Sequence, residues 1–435
     1  MTNDSIGARG SGRSGVLCNS NFYPWVVVGL LWVVALLNYM DRQILSTMRE
    51  AMAIDILALE DKILFGKIMA AFMWIYGIMS PLSGMVADRV NRKWLIVVSL
   101  VVWSTVTLLM GYATTYEEIY VLRAAMGVSE ALYIPAALSL IADYFTGKQL
   151  SLAIGIHMTG LYMGQAVGGF GAFVAKHISW QSTFHWFGLV GIVYGIVLVV
   201  LLREKRRNSF ETAREIREKA SLRTVLAGNV RAVTGSLATL FTCVAFYAIL
   251  FFFATSSIPG WATKNWLPTL FAENLDIDMQ WAGPIATITI AVASFIGVMT
   301  GGPLADRWSP RNLRGRIYVS AIGLGMMVPA LVLMGFGSSL AAAVSAGLIF
   351  GLGYGMFDAN NMPILCQFVS SRSRATAYGI MNMSGLFIGA LATDVLGGLA
   401  EKGLMGVGFA CMAGTVLLSL VVQLTVLRPV SLNKE

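Results

Sequence analysis

The residues best suited to chemistry stand together at Asn38-Tyr39-Met40-Asp41-Arg42. They interrupt an apolar run that opens at Pro24 as PWVVVGLLWVVALL and resumes with Ile44, Leu45 and Met48. The whole stretch predicts one helix of about 25 residues, long enough to cross a bilayer. An acid and a base then lie inside a membrane span. Each charge costs about 2.5–3.5 kcal/mol at mid-helix, so such pairs usually face a watery interior and mark the path of an ion or substrate. The competing reading is a helix-end pair whose charges snorkel to the headgroups.

A second ionisable group lies in Arg123-Ala-Ala-Met-Gly127-Val-Ser-Glu130-Ala-Leu-Tyr133-Ile-Pro135. Glu130 has no charged residue within two positions on either side. A lone buried carboxyl favours its neutral form, which suits it to exchanging a proton. Arg123, two helical turns away on the same face, offers a static partner instead. Tyr76, Gln165 and Asn382 are polar groups on apolar stretches. Each needs a partner or a wet cavity, and a helix–helix hydrogen bond is the alternative role. His157, two turns before Gln165, is a further candidate, although a lone helix histidine is more often structural.

Lys264 lies in Trp261-Ala-Thr-Lys264-Asn265-Trp266-Leu-Pro268. It either anchors an anion or snorkels beside its tryptophans. Pro259-Gly260 just before it predicts a broken helix that bends as a gate. Asp358, with Asn360 and Asn361, is a possible second acid that would suit sugar hydroxyls or a cation.

The elements that must position these groups are transmembrane helices. Of 435 residues, 57% are hydrophobic and 12% charged, against about 25% charged in soluble proteins. Twelve spans are predicted, at 24–48, 63–86, 94–114, 119–144, 149–174, 182–202, 240–271, 282–305, 316–336, 340–368, 375–398 and 403–427. With the N-terminus inside, cytoplasmic segments hold 23 of the 31 Lys and Arg residues. This positive-inside bias orients the chain with both termini cytoplasmic. It also accounts for the net charge of +8 without a nucleic-acid partner. Residues 1–23 form a Gly/Ser-rich tail, 24–202 and 240–427 two six-helix bundles, 203–239 a basic linker with an amphipathic surface helix, and 428–435 a second tail. The four cysteines have neither metal nor disulfide spacing.

The two halves echo each other. Gly84-Met-Val-Ala-Asp88-Arg89-Val-Asn-Arg92 repeats as Gly302-Pro-Leu-Ala-Asp306-Arg307. Met158-Thr-Gly-Leu-Tyr-Met-Gly164 repeats as Met383-Ser-Gly-Leu-Phe-Ile-Gly389, and Glu130-Ala-Leu-Tyr-Ile-Pro135 as Asp358-Ala-Asn-Asn-Met-Pro363. The offsets are 218, 225 and 228 residues. Such 6+6 duplications place a binding site between the halves at mid-membrane.

The Gly84-to-Lys93 stretch and its echo resemble the signature of the major facilitator superfamily, over the whole chain after residue 23. Within that superfamily, Asn-Tyr-Met-Asp-Arg followed by Arg-x-x-x-Gly-x-x-Glu-Ala resembles the anion:cation symporters, which carry sugar acids and other organic anions with protons. The resemblance implies that Asp41 and Glu130 handle protons and that Arg42 binds the substrate carboxylate. It implies substrate contacts at Tyr76, Gln165 and Asn382; Tyr133, His157, Lys264 and Asn361 join them as candidates. Gly84, Asp88, Arg89, Arg92, Asp306 and Arg307 would act in gating. Spinster-like lysolipid transporters share the Asn-Tyr-Met-Asp-Arg start and are the alternative. A monomeric, non-enzymatic inner-membrane protein is expected, driven by protons with sodium left open. No phosphate-cradling loop, nucleophile–base pair or metal-ligand cluster is present, so neither cofactor nor metal is expected.

Overall fold

The computed structural model describes residues 22–87, 90–145, 147–204, 241–242, 244–369 and 374–429. The predicted surface helix of the linker, and Asp88 and Arg89, lie outside these. Every described element is helical. In the first half these are α1 (Tyr23–Ala53), α2 (Lys62–Ala87), α3 (Arg92–Met110), α4 (Tyr116–Glu130), α5 (Tyr133–Tyr144), α6 (Gly147–Gly168), α7 (Gly171–His177) and α8 (Trp180–Leu201). The second half holds α9 (Val244–Leu275), α10 (Met279–Trp308), α11 (Gly315–Phe336), α12 (Leu340–Phe368), α13 (Arg374–Glu401) and α14 (Met405–Val426). A short 3-10 turn, Leu57–Glu60, joins α1 to α2.

Local chemistry sets the helix starts. Pro24 occupies the first turn of α1, where its missing N–H costs nothing. Thr115 and Glu118 form a reciprocal capping box at α4. Asn91, Ser179, Asp278 and Ser339 each accept a backbone N–H at the start of α3, α8, α10 and α12.

Eleven spans are long and apolar enough to cross a membrane, counting α4 and α5 together. The fifth predicted span is the remaining one and falls on α6 and α7, which part at Gly169-Phe170. The fourth also divides, at Ala131-Leu132. The seventh differs in the opposite sense. The predicted break at Pro259-Gly260 is absent, and α9 runs as one helix through Pro259 and Pro268. Inside a bilayer every freed backbone group must find a partner, which favours an unbroken helix over a loop.

Packing repeats the sequence echo. α1 packs on α6, α2 on α4, and α3 on α4 and α8. Six spans later, α9 packs on α13, α10 on α12, and α11 on α12 and α14. Two helix pairs make the broadest contact between the bundles, α2 with α13 and α6 with α10, and each is the repeat mate of the other. Gly164 lets α6 lie against α1: a Cβ there would meet Leu36 O at 2.2 Å. Gly169 does the same between bundles, where a Cβ would meet Thr287 Oγ1 at 1.9 Å.

One face of the molecule carries the start of α1 and the end of α14. On the opposite face the bundles are tied by charge. Lys62 Nζ bonds Glu273 at 2.7 Å, and its backbone N–H donates to Glu401 at 3.1 Å. Lys176 pairs with Asp278, holding that carboxyl below the usual carboxylate range.

Candidate functional site

Neighbouring helical residues point about 100° apart, so Asp41 and Arg42 serve different partners. Arg42 crosses to α4, where its Nε donates to Glu130 Oε2 at 2.5 Å. Glu130 is wholly buried. The guanidinium lies over three rings, at 4.9 Å from Tyr39, 5.1 Å from Phe72 and 4.7 Å from Tyr76. Each such contact is worth about 0.5–2 kcal/mol, which helps keep the cation at this depth. Arg42 Nη2, Glu130 Oε1 and both amide atoms of the adjacent Asn38 have no hydrogen-bond partner among the described residues. The pair therefore keeps a free donor and a free acceptor.

Asp41 turns the other way, toward α3. Thr107 Oγ1 lies 3.2 Å from Asp41 Oδ2 and 3.0 Å from the Trp103 carbonyl. A hydroxyl has one hydrogen. When Thr107 donates it to Trp103, the contact with Asp41 is satisfied only by a protonated carboxyl.

Arg123 does not reach Glu130. Seven residues separate them along α4, about 10.5 Å of axial rise. Its guanidinium instead covers the far side of the site, 4.9 Å from the Phe72 ring, with Met126 Sδ at 3.2 Å.

A cavity between the bundles is lined by Tyr39, Arg42, Gln43 and Gln165 from the first half and by Trp261 and Lys264 from the second, with Phe72 and Arg123 also on its wall. Lys264 thus faces the interior and does not snorkel. Its Nζ lies 4.7 Å from the Trp261 ring and 5.9 Å from Tyr39. The cavity measures about 20 Å³ as seen by a water molecule, room for about one water.

Gln43 joins the bundles at this level. Its Nε2 donates to Ser46 Oγ at 2.6 Å and to the Lys264 carbonyl at 2.9 Å. That carbonyl is free because Pro268, four residues on, has no N–H to return to it. The proline that does not break α9 supplies an acceptor to the other bundle.

Asp358 stands mid-way along α12 and accepts from Asn361 Nδ2 at 3.3 Å. It keeps solvent access although protein surrounds it, so it borders the interior between the bundles. Lys264 is the cation whose charge reaches it.

The remaining predicted residues are placed elsewhere. Tyr133 OH donates to Leu31 O at 2.7 Å, inside the first bundle. His157 is fully buried beside Tyr133, ring centres 6.0 Å apart, with neither nitrogen partnered among the described residues. Neither lines the cavity. Asn382 donates to Ser80 Oγ at 3.0 Å, linking α13 to α2. Gly84 lies in the last turn of α2, Arg92 pairs with Asp143, Asp306 accepts from Arg316 at 2.7 Å, and Arg307 is exposed. Gln43 and Phe72 are site residues that residue types alone did not single out. Pro268 was the available clue to Gln43, since it marks an unpaired carbonyl at Lys264.

Comparison with known proteins agrees with this architecture. The chain is 24% identical over 335 residues to the hexuronate transporter of Bacillus subtilis, covering 75% of each chain. It is 24% identical over 325 residues to the probable galactarate/D-glucarate transporter of Escherichia coli, covering 69% of each. Among solved structures, a bacterial homologue of the human lysosomal transporter Spinster, inward-facing and occupied, superposes with a TM-score of 0.72 at 18% identity, covering 93% of this chain and 97% of that one. The profile of the Major Facilitator Superfamily matches residues 31–393: this multi-pass membrane protein belongs to that superfamily of transporters.

Proposed function

We propose that the protein carries a sugar acid or similar small organic anion into the cell by proton symport. The observation that supports this best is the buried Arg42–Glu130 pair, with Nη2 unpartnered among the described residues and Arg42 on the wall of a cavity shared with Lys264. Three cations line that cavity, Arg42, Arg123 and Lys264, and three acids lie within reach of their charge, Asp41, Glu130 and Asp358. All ionised, they sum to zero. An added anion leaves a net negative charge in a low-dielectric site unless a carboxyl takes up a proton. Symport follows from that balance. Asp41, buried with the Thr107 hydroxyl as its one hydrogen-bond partner among the described residues, and Glu130, which must release Arg42, are the proton carriers.

A cavity of this size cannot hold a sugar acid, so the bundles must part to admit one. The ties at Lys62 and Lys176 would close the outer face, the termini lying in the cytoplasm of a cell whose inner membrane holds the protein as a monomer. The three cations on the cavity wall, Arg42, Arg123 and Lys264, favour this reading over a spinster-like lipid carrier, which needs an apolar slot open to the bilayer.

Purified protein in liposomes tests this. A gradient of one pH unit, acidic outside, supplies about 1.4 kcal/mol per proton, enough for about tenfold accumulation. Labelled D-gluconate should accumulate accordingly, and a protonophore should abolish the accumulation. Uptake indifferent to both would reject symport.

The Gln43 link makes a second expectation. Gln43→Leu removes the donor. Pro268→Ala restores an N–H that satisfies the Lys264 carbonyl within α9. Each should slow uptake by about 3–10-fold, as expected for a hydrogen bond worth about 0.5–1.5 kcal/mol. Because both delete one contact, the double variant should be no slower than the slower single one, which a double-mutant cycle reads directly.

A further inference from the structure

The Arg42–Glu130 couple has a counterpart in the second bundle. Lys264 stands on α9, six spans after α1, and Asp358 on α12, six spans after the α4–α5 span. The separations are 222 residues from Arg42 to Lys264 and 228 from Glu130 to Asp358. Both lie within the 218 to 228 offsets of the sequence echoes. Each bundle therefore carries a cation on its first span and an acid on its fourth.

The two cations converge on one place. Both line the cavity, and both rest against the Tyr39 ring, Arg42 at 4.9 Å and Lys264 at 5.9 Å. Each retains donors for a ligand. Arg42 Nη2 has no partner, and among the described residues Lys264 Nζ meets ring faces but no hydrogen-bond acceptor. Asp358 is close enough to influence Lys264 but forms no ion pair with it within the described residues. On the same wall, Gln165 and the amide oxygen of Gln43 offer neutral hydrogen-bonding groups suited to hydroxyls.

We propose that the site is built for a linear sugar diacid, with one terminal carboxylate on Arg42 and the other on Lys264. Each bundle grips one end, so the ligand itself draws the halves together. The charge balance extends accordingly. A dianion leaves the site neutral only if two carboxyls are protonated, and Asp41 and Glu130 are the two proton carriers proposed above. Lys264 is then the residue that selects two carboxylates over one. This rests on the sugar-acid reading above and sharpens it.

D-gluconate and D-glucarate have the same six-carbon hydroxylated chain and differ at one end, which is an alcohol in the first and a carboxylate in the second. Their affinities for the purified full-length protein can be measured by calorimetry at one pH and ionic strength. The wild type should bind glucarate at least tenfold more tightly than gluconate. Lys264→Gln should bring that ratio below threefold, and Lys264→Arg, which keeps the charge, should preserve it. Equal affinities in the wild type, or a Lys264→Gln variant that keeps the tenfold ratio, would overturn the diacid proposal and leave the sugar-acid reading standing. Binding of neither anion would overturn both.

Discussion

Arg42→Gln is expected to weaken sugar-acid binding at least 100-fold and to reduce uptake to the level of empty liposomes. A guanidinium presents two parallel N–H donors to a carboxylate and stays charged at every accessible pH. Hydrogen bonds to charged groups contribute about 1.5–3 kcal/mol each, and every 1.4 kcal/mol is about a factor of ten in affinity. Two such bonds account for the loss. The substitution also strands Glu130, which is wholly buried and bonded to Arg42 at 2.5 Å. Removing one member of a buried pair costs about 3–5 kcal/mol when the other stays charged, and less when it takes up a proton. Arg42→Gln alone should therefore be stable at low pH and lose stability as pH rises. Adding Glu130→Gln should abolish that pH dependence without restoring binding. Arg42→Lys keeps the charge over Tyr39, Phe72 and Tyr76 but loses the fork, and an affinity at least tenfold below wild type is expected. Titration of each variant with D-gluconate, alongside thermal unfolding in detergent, separates the binding loss from any folding loss. A wild-type affinity in Arg42→Gln would remove this residue from the site.

Much of the architecture was legible because the bilayer enforces it. Apolar runs of fixed length mark the spans, and three echoes at nearly one offset mark the duplication. The site was legible only as a set of depths. Charges inside apolar runs identified Asp41, Arg42, Glu130 and Asp358 as interior groups, but a single helix does not say which helix it faces. Glu130 had a same-face neighbour in Arg123, yet its partner is Arg42, 88 positions away. Gln165 and Tyr133 are both polar groups on apolar spans. One lines the cavity and the other bonds a backbone carbonyl within its own bundle; residue type does not distinguish them. The proline in α9 misled for a related reason. Propensity predicts a break, but in lipid the cost of unpaired backbone groups outweighs propensity. The carbonyl freed by the second proline of that helix, Pro268, found Gln43, 221 positions away. Where the chain does part, at Gly169-Phe170, Thr287 of the other bundle bonds the Ala166 carbonyl, again a partner from outside the span.

Glu130→Gln should separate transport from energy coupling. The amide has the shape of the protonated acid and can neither release a proton nor hold Arg42 by charge. Arg42 is then permanently available to an anion. External D-gluconate should still exchange for internal D-gluconate within about threefold of the wild-type rate, since exchange needs the bundles to move only while loaded. Net accumulation is another matter. In the proposed cycle the wild type would return empty by reforming the Arg42–Glu130 pair, which would neutralise the cation once the substrate has left; the variant has no charge with which to do so. At a pH difference of one unit, where each coupled proton is worth about tenfold accumulation, the variant should stop at equal concentrations inside and outside. The pH dependence of binding carries the sign. Wild-type affinity should rise as pH falls, because a protonated Glu130 leaves Arg42 free, whereas the Glu130→Gln affinity should be high and flatter with pH. Asp41→Asn offers the control. Asp41 faces Thr107 and not Arg42, so its loss should diminish proton-driven accumulation while leaving the competition for the guanidinium in place. If Glu130→Gln concentrates the anion as the wild type does, protons enter through some other group, and the pair at Arg42 serves binding alone.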